Sequence, residues 1–578
     1  VPSDPSFPPA AAKIIRKLLQ KNPADRYQHA RDLLRDLEAI DAPVGRAASL
    51  HSRSMIGPTV RRRAGLRAAV AIAGLVAVGS AAFYIQHTYQ PPAPPAKPAP
   101  PATPIRSMAV LPLDNLANNT RDDFLSVGLA DALVTKLQTI PSLQVRPTSA
   151  VLEFRDKKVD PKTASEKLQV DGILEGHFLA AGDLVRVNLQ LTDLRTGYNV
   201  WADTIDGKRD DLLKLIDDVS ARTVAGLGSK LAVETPARPH SEARSSSPQA
   251  YEDYLKARAL TGSLVPKDYQ TQIALLKKAV ELDPNFAAAY ADLAISASLA
   301  LARNLDDPRV LQQAEWYARQ AVRLDPTLAQ AHLALGRVFV RYPDRYRESV
   351  REVLAATRLN PSETHALNSI ATYFVSAGDL QKAECIGNRI VAIDPFSNEA
   401  KIRGYWYVNA VDPEGALQNA KFALASPDTE IAGHDIRALA YILEGNMAEA
   451  QKEADEVSKL GPKQYLGKSL HAMIGAANND RGTMELAIQS FTSDATRNHW
   501  AAIRVAMCYA KIGDHANAIL WARRAFDLGH HSWYEMVKHP WLESLQSDPE
   551  YQQLLARIKA DVDDVRDDVI GIYQLTCP

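Results

Sequence analysis

The sequence predicts a multidomain chain: a short all-α segment, one transmembrane helix, a small α/β domain and a long all-α solenoid of helical repeats. Three observations predict it. Ala68 to Ile85 is an uncharged run of 18 residues, the short end of what crosses a hydrocarbon core. After Ile105 the pattern turns to short apolar strands and hairpins. From Pro284 onward, prolines and glycines mark turns at an interval near 34.

The first element, residues 1–42, has the chemistry of two helices joined by a turn. Asn22-Pro23 stops one helix, because the residue before a proline is driven out of the helical region. Asp25 can cap the next, on which Leu33, Leu34, Leu37 and Ile40 share an apolar face. The string Ile14, Ile15, Leu18, Leu19, Asn22-Pro23, Arg26-Tyr27, Ala30 and Leu33-Leu34 resembles the last helices of the protein Ser/Thr kinase fold. The resemblance implies a kinase-domain remnant, with Arg26 in a structural position that pairs with a buried glutamate in kinases. Phosphoryl transfer also needs a glycine-rich loop, a strand lysine, an H-R-D loop and a D-F-G metal site, and none stands in the 578 residues. No catalytic residue is therefore assigned, and ATP and Mg would belong only to a kinase domain lying upstream. Gly226 to Lys230 imitates a phosphate loop but lies at the end of a predicted helix. The chain starts at Val1, and the expectation is the C-terminal part of a longer gene product.

A basic linker, 43–67, precedes the expected transmembrane helix, 68–86. Arg61, Arg62, Arg63 and Arg67 flank the run on one side only, which by the positive-inside rule keeps that side in the cytoplasm. The expected location is the bacterial inner membrane, single-pass, with the C-terminal domains periplasmic. A proline-rich stalk, 87–104, follows. Its segment Pro91 to Pro104 favours polyproline II and a length of roughly 40 Å. A net charge of -1 gives no footprint for nucleic acid. Cys385, Cys508 and Cys577 are an odd count without metal-ligand spacing, so no disulfide framework is expected, and Cys385 and Cys508 lie too many repeats apart to be bridged.

Residues 105–232 read as a small α/β domain: a strand at Met108 to Leu111, a helix from about Asp122 to Leu137, a strand at Leu143 to Pro147, and a hairpin turning at Ala181-Gly182-Asp183. The string Ala109 to Leu116, Gly128-Leu129, Leu133, Leu137, Val170-Asp171, Leu174 to Gly176, Arg186-Val187, Gln190-Leu191, Thr196-Gly197, Trp201-Ala202 and Asp206 resembles the TolB amino-terminal-like domain of bacterial signalling proteins. That resemblance implies partner binding on the envelope side and no known chemistry. Asp114 reads as a helix-capping residue and Glu175 as a solvated strand end.

A linker, 233–246, leads to a solenoid over 247–560 and a C-terminal tail, 561–578. Turn prolines fall at Pro284, Pro326, Pro361, Pro395, Pro427 and Pro462, and turn glycines at Gly378, Gly445 and Gly513. An aromatic precedes each glycine by four (Phe374, Tyr441, Tyr509) and an alanine follows by five (Ala383, Ala450, Ala518). The period and phase are those of the tetratricopeptide helix-turn-helix, worn around Val411 to Pro413. Such arrays bind partners on the inner face, where the phase puts His365, Asn368, Ser369, Thr372 and Ser376, then Asp435, Ile436, Leu439 and Ile442, then Trp500, Ile503, Arg504 and Met507. Extended protein segments are the expected ligands. His530, His531 and His539 share a segment without a carboxylate or thiol in zinc order, so no metal is assigned.

The function expected is that of a membrane-anchored signalling or scaffold protein, the sensor half of a Ser/Thr kinase. The alternatives are a stand-alone repeat scaffold with a vestigial kinase tail, or a relative of the transcription regulators and cyclases that carry the same modules. Residues Ile14 to Ile40 weigh against the latter.

Overall fold

The computed structural model describes residues 104–117, 122–138, 140, 143–154, 160–228, 245–260, 266–302 and 309–577. The kinase-like string with Arg26, the arginines Arg61, Arg62, Arg63 and Arg67, the run Ala68 to Ile85 and the stalk up to residue 103 lie outside the described residues. Among the described residues no helix is long and apolar enough to cross a membrane. This finding corrects the expected transmembrane helix, and with it the single-pass inner-membrane placement. The apolar helix Ala287–Ala302, for example, has 16 residues and carries Asp292, against about 20 apolar residues for a span. Its apolar surface is buried against neighbouring helices instead.

The α/β domain is built on a sheet of order β3-β1-β4-β5-β6, with β2 also on β4. Strand β1 (Ser107–Val110) lies parallel to β3 (Gln144–Val145) and to β4 (Gly172–Ala181), as does β2 (Asp114–Asn115) to β4. The antiparallel strands β4, β5 (Leu184–Asp193) and β6 (Tyr198–Lys208) follow. The β4–β5 turn falls on Gly182, whose φ of 58° needs a residue without a Cβ penalty. Helix Phe124–Leu137 buries Leu125, Leu129, Leu133 and Leu137 in the domain core. Helix Leu212–Leu227 contains Gly226, so the phosphate-loop imitation belongs to a helix end. Asp114 stands in β2 and caps no helix, and Glu175 lies inside β4, where it accepts a hydrogen bond from Gln190 at 2.7 Å.

From Pro248 the chain forms eight successive helical hairpins among the described residues, ending with His499–Lys511 and His515–Asp527. The turn inside five consecutive hairpins is set by one left-handed residue followed by a side-chain cap. The left-handed positions are Gly378, Val411, Gly445, Asn479 and Gly513, at intervals of 33, 34, 34 and 34 residues. Each is followed by an Asp or Asn (Asp379, Asp412, Asn446, Asp480, Asp514) whose side chain accepts an N–H of the next helix. The worn repeat thus keeps the geometry and loses only the glycine. Ala383, Ala450 and Ala518 are fully buried where paired helices meet.

The α/β domain and the solenoid share one core. Gly128 leaves room for Leu255 of helix Pro248–Arg258, whose methyl would lie 3.0 Å from an added Cβ. A second junction forms far along the array. Arg146 donates to the carbonyls of Ala392 and Ile393 at the end of helix Leu380–Ile393, and Ser149 donates to Asp394 at 2.7 Å. Cations at a helix C-terminus meet its negative dipole end.

The array closes on itself. Helices Pro549–Asp564 and Arg566–Thr576 return to pack on Tyr346–Leu359, Thr364–Ala377 and Leu380–Ile393. Tyr373 donates to the Val562 carbonyl at 3.0 Å, Arg389 to that of Thr576 at 2.8 Å, and Tyr573 packs edge-on against Phe374. A disulfide joins Cys385 to Cys577, with 6.2 Å between their α-carbons. This corrects the expectation of unbridged cysteines. The pair weighed from the sequence was Cys385 with Cys508, and Cys508 is a buried free thiol; the return of the last helix supplies the partner.

Candidate interaction surface

First helices of successive hairpins pack on one another from Thr364–Ala377 through Gly404–Asn409, Glu430–Glu444 and Tyr465–Ala477 to His499–Lys511, and the structure distributes the candidate residues along them unevenly. His365, Asn368 and Thr372 lie on helix Thr364–Ala377, His365 exposed and the other two half-buried. Trp500 is half-buried at the start of helix His499–Lys511, its ring 5.0 Å from His499 and 5.6 Å from His530. Ile503, Arg504 and Met507 are buried. Ile503 and Met507 belong to the core of the last repeats, with Ile436, Leu439 and Ile442.

Arg504 has a different role from its neighbours. It donates to both carboxylate oxygens of Asp435, at 2.9 and 2.5 Å, and to the Ser469 hydroxyl at 2.8 Å, while Tyr405 donates to Asp435 at 2.9 Å. Asp435, Ser469 and Arg504 come from three successive first helices, so the pair is a strut across the array. Burial works against the guanidinium, yet Asp435 outweighs it and raises the pKa of Arg504. Their spacings of 34 and 35 residues were the sequence signal for this contact.

The chain's own segment 528–539 covers part of the face. His530, His531, Glu535 and His539 are buried there, with His531 stacked 4.3 Å from Tyr346 and His530 3.1 Å from Glu535. Burial depresses the pKa of His531 to about 3 and of His539 to about 4, and it carries His499 well below its ordinary value. These rings are therefore neutral packing groups. Among the described residues no group of three or more His, Cys, Asp or Glu is placed to hold a metal ion.

What stays open beside Trp500 is polar, and the sequence reading missed two of its residues, Arg337 and Arg341. Arg337 is in the last turn of helix Ala329–Phe339 and Arg341 lies just past its cap. Gly529 packs against Val340 so closely that an added Cβ would meet its carbonyl oxygen. His530 and, through it, His499 at 3.3 Å thus sit beside the arginines. His365 pairs with Glu399 at 2.6 Å. Its side chain keeps 49% of its surface open, yet loss of bulk solvation is its largest perturbation. Glu399 outweighs that loss and raises the His365 pKa. Glu399 is itself desolvated, and His365 holds it down at about 2. Burial likewise lowers the pKa of Arg337, partly offset by Glu399 and Glu363, and that of Arg341, which Arg337 lowers further.

A separate cleft of about 680 Å³ opens at the ends of three first helices, among Glu444, Ala477, Lys511, Trp541 and Glu543. Lys511 lies over the Trp541 ring at 5.6 Å.

The chain is similar to three kinds of known protein. Residues 105–222 match the second domain of HilA/YgeH-like transcriptional regulators, so the TolB-like assignment of this segment is not supported. A protein of Rhizobium meliloti (strain 1021) carrying an adenylate cyclase name is 28% identical over 231 residues, which is 40% of this chain. The chain spans 39% of that relative's length. The crystal structure of a tetratricopeptide repeat protein from Parabacteroides merdae ATCC 43184 is 16% identical and covers 47% of this chain and 99% of its own, at a TM-score of 0.30. None of these similarities reaches the kinase origin. The chain is a tetratricopeptide-like solenoid joined to an α/β domain similar to one found in HilA/YgeH-like regulators.

Proposed function

We propose that this chain is the recognition and control portion of a regulator, whose concave helical face binds extended protein segments and whose α/β domain carries the resulting state to an output domain. The observation that carries the reading is the shared core: the α/β domain grips the array at Leu255 and again at Asp394, so occupancy of the array is mechanically tied to it. The cyclase-named relative and the HilA/YgeH-like match support an output of nucleotide cyclisation or transcription control. The string Ile14 to Leu34 supports a Ser/Thr kinase in that place as a second reading. The reading frame upstream of Val1 separates them: an H-R-D loop and a D-F-G site favour the kinase, a cyclase or winged-helix domain refutes it.

The groove is tested by selecting a displayed peptide library on the full chain and measuring the winners against Trp500→Ala and His365→Ala. A recognition surface gives at least about tenfold weaker binding with little change in stability. If Trp500 is a core residue instead, its loss lowers stability by about 3 to 5 kcal/mol and binding falls only with unfolding. A library that yields no binder overturns the reading.

A further inference from the structure

This face holds two half-buried cations that make no direct ion pair among the described residues. Among the described residues, neither Arg337 nor Arg341 makes a hydrogen bond or an ion pair, whereas the neighbouring Arg345 is paired with Glu315 at 2.8 Å and Arg347 with Asp561 at 3.4 Å. They stand four residues apart at one helix end, positions that share a face. The charged groups facing them are few. Glu399 is taken by His365, Glu363 spends a carboxylate oxygen on the backbone N–H of His365, and His499 is neutral. Among the described residues, the charged group that acts on Arg341 is Arg337. Placing two desolvated guanidinium groups side by side is unfavourable without an anion, and the dipole of the helix C-terminus offsets only part of that.

We propose that Arg337 and Arg341 seat the carboxylates of an acidic peptide segment, with Trp500 as the aromatic wall beside them. The proposal rests on the groove reading above and names its partner class. Planar guanidinium forks match carboxylates bidentately, and a half-buried tryptophan supplies apolar contact for the peptide's stem. An extended acidic segment satisfies both features at once, and its charge complements a face whose other acids are already engaged.

The test is a fluorescence-anisotropy titration of the full chain with labelled octapeptides of glutamate, glutamine and lysine, and with inorganic tripolyphosphate as competitor. The glutamate peptide should bind and weaken with added salt, and the other two peptides should not. Arg337→Gln and Arg341→Gln should each weaken it by about ten- to one-hundredfold. Melting temperature should hold or rise in both, because an uncompensated charge is removed; a marked fall would make the arginines structural and overturn the proposal. Equal binding by the double variant also overturns it, as does tripolyphosphate binding without any binding of the glutamate peptide. If library-selected peptides bind the wild type and the double variant equally while polyglutamate does not bind, this inference fails and the groove reading stands. If no peptide binds at all, both fail.

Discussion

Breaking the Cys385–Cys577 bridge tests the closure of the array. The bond ties positions 192 residues apart. In the chain-entropy account, a loop of that length confines the unfolded chain by about 5 kcal/mol at 25 °C. That figure is a ceiling, because Arg389 with Thr576, Tyr373 with Val562 and Tyr573 with Phe374 still hold the last helices after reduction. The paired variant Cys385→Ser/Cys577→Ser should therefore lose about 2 to 5 kcal/mol in guanidinium denaturation, and the reduced wild type should match it. Amide exchange should localise the change, with helices Arg566–Thr576 and Pro549–Asp564 opening before the first repeats. Thiol titration of the denatured, unreduced chain checks the premise: one reactive thiol, Cys508, is expected. Three thiols would refute the bridge. One thiol with unchanged stability and exchange would refute the idea that closure holds the array together.

Three other perturbations follow from particular residues. Val411 takes the left-handed position that glycine fills in three of the other turns, so Val411→Gly should stabilise by up to about 1 kcal/mol, the strain relieved less glycine's larger unfolded-state entropy, read as a higher denaturation midpoint. The neutral His531 and His539 have folded pKa values near 3 and 4, so below pH 6.5 the unfolded chain binds more protons. Stability should fall by up to about 1.4 kcal/mol per pH unit for each as pH drops from 6.5 toward those values, a slope that His539→Phe flattens. The strut should fail asymmetrically: Asp435→Ala strands a buried guanidinium and should cost about 3 to 5 kcal/mol, while Asp435→Leu with Arg504→Met should recover most of it, both measured by denaturant titration.

The turns were legible because the physics that sets them is local. A left-handed residue and the carboxamide or carboxylate after it recur every 33 or 34 positions, and glycine announces three of the five. The hairpin at Gly182 and the helix face of Leu125 to Leu137 were readable for the same reason. The contacts that shape the functional face were not. Cys577 stands near the end of the chain with no periodic partner, and Arg146 meets Ile393 across 247 residues. Arg337 and Arg341 carried no signal either, because an arginine at a helix end normally reads as a solvated dipole partner. Only the three-dimensional arrangement shows that, among the described residues, neither makes an ion pair. Ile503 and Met507 share the phase of open positions, but in a stacked array that phase also faces the next first helix, and there they are buried.

Closure changes what such an array can recognise. An open superhelix offers its whole inner face, and the C-terminal part of this one is rich in apolar residues. Here segment 528–539 packs on both the middle and the C-terminal repeats, with Tyr534 fitted against Gly378, His531 against Tyr346 and Met536 in the core of the last repeats. On the proposal above, specificity would come from pairing ions, where one unpaired buried group is strongly penalised, and less from area. Helix Leu380–Ile393 bears on this directly, because Arg146 holds its end and Cys577 its side. A partner that shifts this helix pulls on the α/β domain through the former contact and on the closing helices through the latter. The α/β domain and the closing helices thus both hold helix Leu380–Ile393, which is where the proposed acidic ligand would be felt by both.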